Sequence, residues 1–200
     1  MTKTPKIILA SGSAIRAEIL RGAGIDFDVI KPGVDEDEIK ASSAKNHAGL
    51  EETAMMLAEA KCMAVAEQTS GIVIGSDQIL EFQGRAFDKP KTMNDARDRL
   101  LEMRGAAHTL INAVAVARDG KIIWRNLDRP HLIMRDLTEE EIDGYLTAAG
   151  PDILFSVGAY QVEGHGARLF ERIDGDYFAV LGMSLFPLLG FLRREGALPF

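Results

Sequence analysis

The chain has 200 residues, 46% of them hydrophobic and 26% charged, with a formal net charge of −7. At about 150 residues per domain this fits a globular chain with a sizeable core, built as one domain or as two tightly joined lobes. The acidic balance argues against a nucleic-acid polymer as partner, which needs a basic stripe, and leaves room for a local basic pocket that takes a phosphorylated small molecule.

At the start, "MTKTPKIILASG" has too short an apolar run for a signal peptide, and within it "KIILA" reads as a short strand. "AIRAEILRGAG" follows as a helix, with Ile15, Ile19 and Leu20 on one face and Gly22 and Gly24 at its end. Ser13 is the N-cap candidate. That leaves Ser11, Gly12 and the first-turn Arg16 beside free backbone N–H groups at the positive end of the helix dipole, which is the chemistry of an anion site. "IDFDVI" alternates like a strand, and "KPGVDEDEIKASSAKNHAG" reads as a polar, acidic, mobile loop.

"LEETAMMLAEAKCMAVAEQ" is a long helix in which Ala54, Leu57, Ala58, Lys61 and Val65 share one stripe, so an ammonium stands where the pattern asks for an apolar residue. Lys61 either snorkels past the edge of the core or points into a cleft to meet an anion. Its neighbour Cys62 is the single cysteine, which excludes an intramolecular disulfide, fits a reducing compartment and reads as a buried structural residue.

"GIVIGSDQILEF" is a buried strand that carries Asp77, a carboxylate that is costly inside a sheet unless it is paired or metal-bound. A Gln83-Gly84 turn leads to "RAFDKPK", where Pro90 holds Lys89 extended. "TMNDARDRLLEMRG" is a helix with a capping box at Thr92 and Asp95, and "AHTLINAVAVARDGKIIWRNLDRPHLIM" is a hairpin about Asp119-Gly120. His108 and Asn112 share a face of its first strand, His108 reading as a hydrogen-bonded structural residue. Thr138 and Glu141 cap another helix, a glycine-rich bend follows, and a last helix starts near Ser184; its "LFPLLGFL" is far short of a membrane span. Helices that alternate with antiparallel hairpins indicate an α/β or α+β fold with a mixed sheet.

The chemistry collects in a short list. Two hydroxyls, Arg16, Lys61 and Lys89 suit phosphates, while Asp77 and one member of the Asp35 to Glu38 run suit a divalent cation of the oxygen-preferring kind. Such a set fits nucleophilic attack on a phosphate ester or anhydride, where catalysis is mostly positioning and charge neutralisation. There is no zinc pattern, no G-x-x-x-x-G-K-[ST] loop and no G-x-G-x-x-G after the first strand.

In this order the motifs resemble the Maf family of nucleoside triphosphate pyrophosphatases over nearly the whole chain. "LASGSAIRAEIL" is similar to the family's S-x-S-x-R opening, "VDE" to its acidic loop, "AEAK" to its lysine helix, "IGSDQ" to its aspartate strand, "DKP" to its lysine-proline, "GAAH" to its Gly-x-x-His, and "GAYQVEGHGARLFERIDGDY" to its C-terminal signature. The resemblance implies a mixed α/β, Maf/ITPase-like fold, an elongated mixed sheet flanked by helices in two lobes with a central cleft, and a chain that forms a single such domain. It implies release of pyrophosphate from a nucleoside triphosphate with a magnesium or manganese ion. The implied catalytic residues are Asp77, Lys61 and Lys89; Ser11, Ser13, Arg16, Gln78 and Glu163 would bind substrate, and Asp77 and Glu36 would hold the metal. Asp77 serves as metal ligand, as general base, or as both.

Within the family, "GSDQ" and "EGHGARLFERIDG" resemble the branch that acts on 7-methyl-GTP, whose cationic ring a carboxylate such as Glu163 favours over a neutral pyrimidine. The alternatives are a same-fold pyrophosphatase for dTTP, UTP or non-standard nucleotides, and a nucleotide-binding regulator of septum formation with little turnover. Departures from the family pattern are Ala17 after Arg16, Phe87-Asp88 before Lys89, Asn112, and Met183-Ser184. They bear on base identity and turnover more than on reaction class. The expected partner is a nucleotide, with no membrane, a cytoplasmic location and a homodimer allowed.

Overall fold

A computed structural model describes residues 5–200; Met1–Thr4, the start of the stretch weighed as a leader, lie outside the described residues. In chain order the elements are β1 (Ile7–Ala10), α1 (Ala14–Gly22), β2 (Asp28–Val29), α2 (Glu36–Lys45), α3 (Leu50–Ala66), β3 (Ile72–Phe82), β4 (Arg85–Phe87) and α4 (Met93–Met103). Then follow β5 (Ala107–Arg118), β6 (Lys121–Asp128), β7 (His131–Met134), α5 (Glu139–Ala149), β8 (Phe170–Asp174), α6 (Tyr177–Val180) and α7 (Leu185–Arg194), with 3₁₀ turns at Pro151–Phe155 and His165–Leu169. The strands make one mixed sheet in the order β2-β1-β3-β5-β7-β8, with β4 on β3 and β6 on β5.

The chain divides into two compact units, and β3 and β5 run through both. The first takes the described residues up to Gln78, then Asn112–Asp128 and Asp176–Phe200. In it β1 pairs in parallel with both β2 and β3. All four residues of β1 and the first six of β3 are buried, which is why both read as continuous apolar runs rather than alternating ones. Leu9, Leu20, Ile72, Ile74, Val114 and Leu188 pack into one core, and Trp124 stacks on Phe191 at its edge.

The second unit comprises Ile79–Ile111 and Arg129–Gly175. There β4 returns along β3 through the Gln83-Gly84 turn, and β7 lies between the start of β5 and β8. Both capping boxes form, at Thr92/Asp95 and Thr138/Glu141.

Three sequence expectations are corrected. The acidic stretch read as a mobile loop contains α2, because Asp35 at the N-cap accepts a hydrogen bond from the Glu38 amide and three acidic residues fill the first turn against the helix dipole. Ser13 does occupy the N-cap of α1, yet its hydroxyl takes no helix N–H; Ser11 Oγ instead accepts from the Ser13 amide at 3.1 Å. The long hairpin is three strands: Pro130, which has no N–H for a ladder, separates β6 from β7.

Candidate active site

Along β3 the side chains alternate, and the alternation sorts the site. Gly75 and Asp77 face α3. A Cβ on Gly75 would meet the Ala58 carbonyl and would sit 2.7 Å from the Cys62 Cβ and amide, so only glycine allows α3 this close. One step further along the same face, Lys61 Nζ from α3 reaches Asp77 Oδ1 at 2.6 Å. Both residues are 7% exposed. A paired carboxylate and ammonium can be buried where neither could alone.

Glu36, the first residue of α2, completes the group: its Oε1 lies 2.8 Å from Lys61 Nζ. The helix that was missed in sequence is therefore what brings this exposed carboxylate to the ammonium. The Glu36–Lys61–Asp77 triad carries a net charge of −1.

On the opposite face of β3, Ser76 and Gln78 turn toward the end of α6 and the residues that follow it. Ser76 Oγ donates to the Gly182 carbonyl at 3.0 Å, and Gln78 Nε2 donates to the carbonyls of Ala179 and Val180 at 2.9 and 3.1 Å. Arg16 joins the same network. Its Nε donates to the Gly182 carbonyl at 2.8 Å and its Nη1 to the Ser76 carbonyl at 2.7 Å, with Ser11 Oγ at 3.5 Å. Burial lowers the Arg16 pKa, and the charges of Asp77 and Glu36 work against that shift, so the guanidinium lies within the field of the two carboxylates in a poorly solvated place.

Beneath Asp77 lies a buried polar relay that sequence reasoning did not assemble. Ser184 Oγ donates to Asn112 Oδ1 at 2.8 Å, and Asn112 Nδ2 approaches the Asp77 carbonyl at 3.4 Å. Asn112 and Met183-Ser184 were singled out as separate departures from a pattern. In the fold, Asn112 and Ser184 are hydrogen-bond partners, which their spacing of 72 residues conceals.

The structure thus gathers Ser11, Arg16, Glu36, Lys61, Asp77 and Gln78 in the first unit, with Ser13 at the head of α1. Lys89 and Glu163 belong to the second unit, and both are exposed there. His108, also in the second unit, is 2% exposed and shares a 2.7 Å hydrogen bond between its Nε2 and Tyr160 Oη. Burial pushes its pKa down to about 4, so it is neutral, as a structural residue should be. Cys62 is buried and its thiol is pushed up to about 12, chiefly by desolvation, which makes it unreactive as a nucleophile.

Among the described residues no three His, Cys, Asp or Glu side chains cluster as a closed metal cage. The two carboxylates on Lys61 are nevertheless hard oxygen donors that converge on a point now held by a cation, and they suit an ion that takes its remaining oxygens from phosphate and water. No helix among the described residues is long and apolar enough to cross a membrane.

The mixed α/β sheet presents a buried carboxylate–ammonium pair beside a fixed guanidinium, groups whose chemistry suits a phosphorylated substrate. The family profile described as Maf-like protein matches residues 6–195, and the chain belongs to that family. It is 45% identical over 193 residues to a protein of Hyphomonas neptunium named nucleoside triphosphate pyrophosphatase, covering 96% of this chain and 98% of that one. It is 46% identical over 193 residues to a protein of Brucella suis named 7-methyl-GTP pyrophosphatase, covering 96% and 97%. A protein of Caulobacter vibrioides named nucleoside triphosphate pyrophosphatase is 44% identical over 198 residues, covering 99% of each chain.

Proposed function

We propose that the protein hydrolyses a nucleoside triphosphate to the monophosphate and pyrophosphate. The observation that carries this reading is the single ammonium of Lys61 held between Asp77 at 2.6 Å and Glu36 at 2.8 Å, with the Arg16 guanidinium in their field. The relatives' names agree with it.

Charge decides how such a group meets a polyphosphate. With a formal net charge of −1, the triad by itself repels the substrate, and Asp77 and Glu36 would offset that repulsion by holding a magnesium- or manganese-type cation. Asp77 and Glu36 would hold that ion, which when bound neutralises phosphate oxygens and orients the bond to be cleaved. Arg16, Ser11 and Ser13 contact the triphosphate at the head of α1, where the first-turn N–H groups and the helix dipole favour negative charge. Lys61 offsets the charge that develops on the leaving group. Asp77 accepts a proton from the attacking water. The water oxygen bonds to the α-phosphorus, the bond from that phosphorus to the α,β-bridging oxygen breaks, and pyrophosphate leaves with the electron pair.

For the base, Glu163 and Gln78 support 7-methyl-GTP: a carboxylate favours the cationic ring of 7-methylguanine over a neutral pyrimidine. The test is a pyrophosphate-release screen over 7-methyl-GTP, GTP, dTTP and UTP with added magnesium. The expected result is release of pyrophosphate rather than orthophosphate, with the highest kcat/KM for 7-methyl-GTP and a narrower gap in Glu163→Gln. Orthophosphate from the γ position would overturn the reaction; better turnover of dTTP would overturn the base assignment alone.

A further inference from the structure

Three consecutive residues of β3 are all referenced to one short segment of chain more than a hundred residues away. Ser76 donates to Gly182, Gln78 donates to Ala179 and Val180, and the Asp77 carbonyl is reached through Asn112 from Ser184. Arg16, on a different element, is tied to the same place through Gly182. The Gly182 carbonyl is the shared point, since it accepts from Arg16 Nε at 2.8 Å and from Ser76 Oγ at 3.0 Å.

The backbone makes glycine necessary there, since its φ is +101°, a conformation that side chains rarely adopt. A Cβ would stand in ordinary van der Waals contact with the site, 3.5 Å from Arg16 Nε, 3.6 Å from Arg16 Nη2 and 3.8 Å from Gln78 Oε1. The missing side chain leaves a small space faced by a guanidinium donor and an amide acceptor. The orientation of the Gln78 amide is fixed by its surroundings: two carbonyls take its N–H groups, so the oxygen must face the other way.

We propose that Gly182 is a positioning residue for the anion site. Its carbonyl sets the Arg16 guanidinium, so that Nη2, beside Gln78 Oε1, is presented to an anionic oxygen of the substrate. This rests on the reading of Arg16 as a phosphate contact, so the test reads binding of inorganic pyrophosphate by titration calorimetry, which needs no turnover.

In the full chain, Gly182→Ala weakens pyrophosphate binding by about 10-fold or more, the scale on which misplaced contacts act. The same change causes no further loss in an Arg16→Lys background, because lysine cannot hold both carbonyls and the guanidinium to be positioned is gone. Ser76→Ala is the gentler variant should Gly182→Ala not fold. It removes one of the two donors on the carbonyl, and the expected loss is about 3-fold, again absent beside Arg16→Lys. A merely structural glycine predicts a lower melting temperature with unchanged pyrophosphate affinity, or losses that add to that of Arg16→Lys; either result overturns the proposal. So does a wild-type protein that binds no pyrophosphate. If the wild type binds pyrophosphate and shows the coupling yet hydrolyses no nucleotide, the positioning role stands and the proposed reaction falls.

Discussion

Lys61 Nζ stands 2.6 Å from Asp77 Oδ1, and the two side chains are only 9% and 10% exposed. Removing the ammonium leaves the buried Asp77 carboxylate without the cation it is hydrogen-bonded to. Lys61→Met is therefore expected to cost about 3 kcal/mol, the usual penalty for breaking a buried ion pair from one side. Lys61→Met combined with Asp77→Asn should recover most of it, because both charges are then gone. Urea unfolding midpoints of the wild type, the single variant and the double variant measure this directly. A double variant no more stable than Lys61→Met alone would show that the pair is not what sustains the buried carboxylate.

Gly75 is the spacer behind that pair. Gly75→Ala drives a methyl group into the Ala58 carbonyl and the Cys62 backbone. The expected cost is about 2 kcal/mol or more, as for overpacking of a tight core. Because Asp77 follows on the same face of β3, turnover should fall further than stability explains. Thermal melting together with kcat/KM at a temperature where the variant is fully folded checks both parts.

Local interactions leave a mark in the sequence, and long-range ones do not. β1 and β3 were plain because burial on both faces demands continuous apolar runs, and Lys61 announced itself as the wrong residue on an apolar stripe. The α2 helix was missed although Asp35, Glu38 and the acidic first turn are a local N-terminal signal; the density of charge made the stretch look like a solvated loop. Asn112 with Ser184 and Gly182 with Arg16 had no local signal. Their partners are 72 and 166 residues apart, and only the fold brings them together.

His108 supplies a pH dependence of stability. Folding holds its pKa near 4 against an ordinary 6.5, so between those values the unfolded chain binds more protons than the folded one. The contribution is complete above pH 6.5 and is lost as the pH falls toward 4, with a total of about 3 kcal/mol. His108→Gln removes the titration while keeping a hydrogen-bonding side chain beside Tyr160. Denaturant unfolding of both proteins at steps from pH 4 to pH 7 should show the wild type losing more stability on acidification than the variant. Parallel curves would mean that the histidine is not held neutral.

Asp77 is assigned to hydrolysis at the α-phosphorus of a nucleoside triphosphate. The most direct measurement is turnover of an α-labelled triphosphate with magnesium by the wild type and by Asp77→Asn, a change that keeps size and removes charge. The wild type is expected to form one labelled monophosphate per pyrophosphate released, and the variant to lose about 10²-fold or more in kcat while remaining folded. Metal-dependent nucleotide affinity in the variant then separates the two roles: it survives if Asp77 is mainly a base and falls if Asp77 also holds the ion. A folded Asp77→Asn protein with near-normal turnover would mean that Asp77 has no part in the reaction.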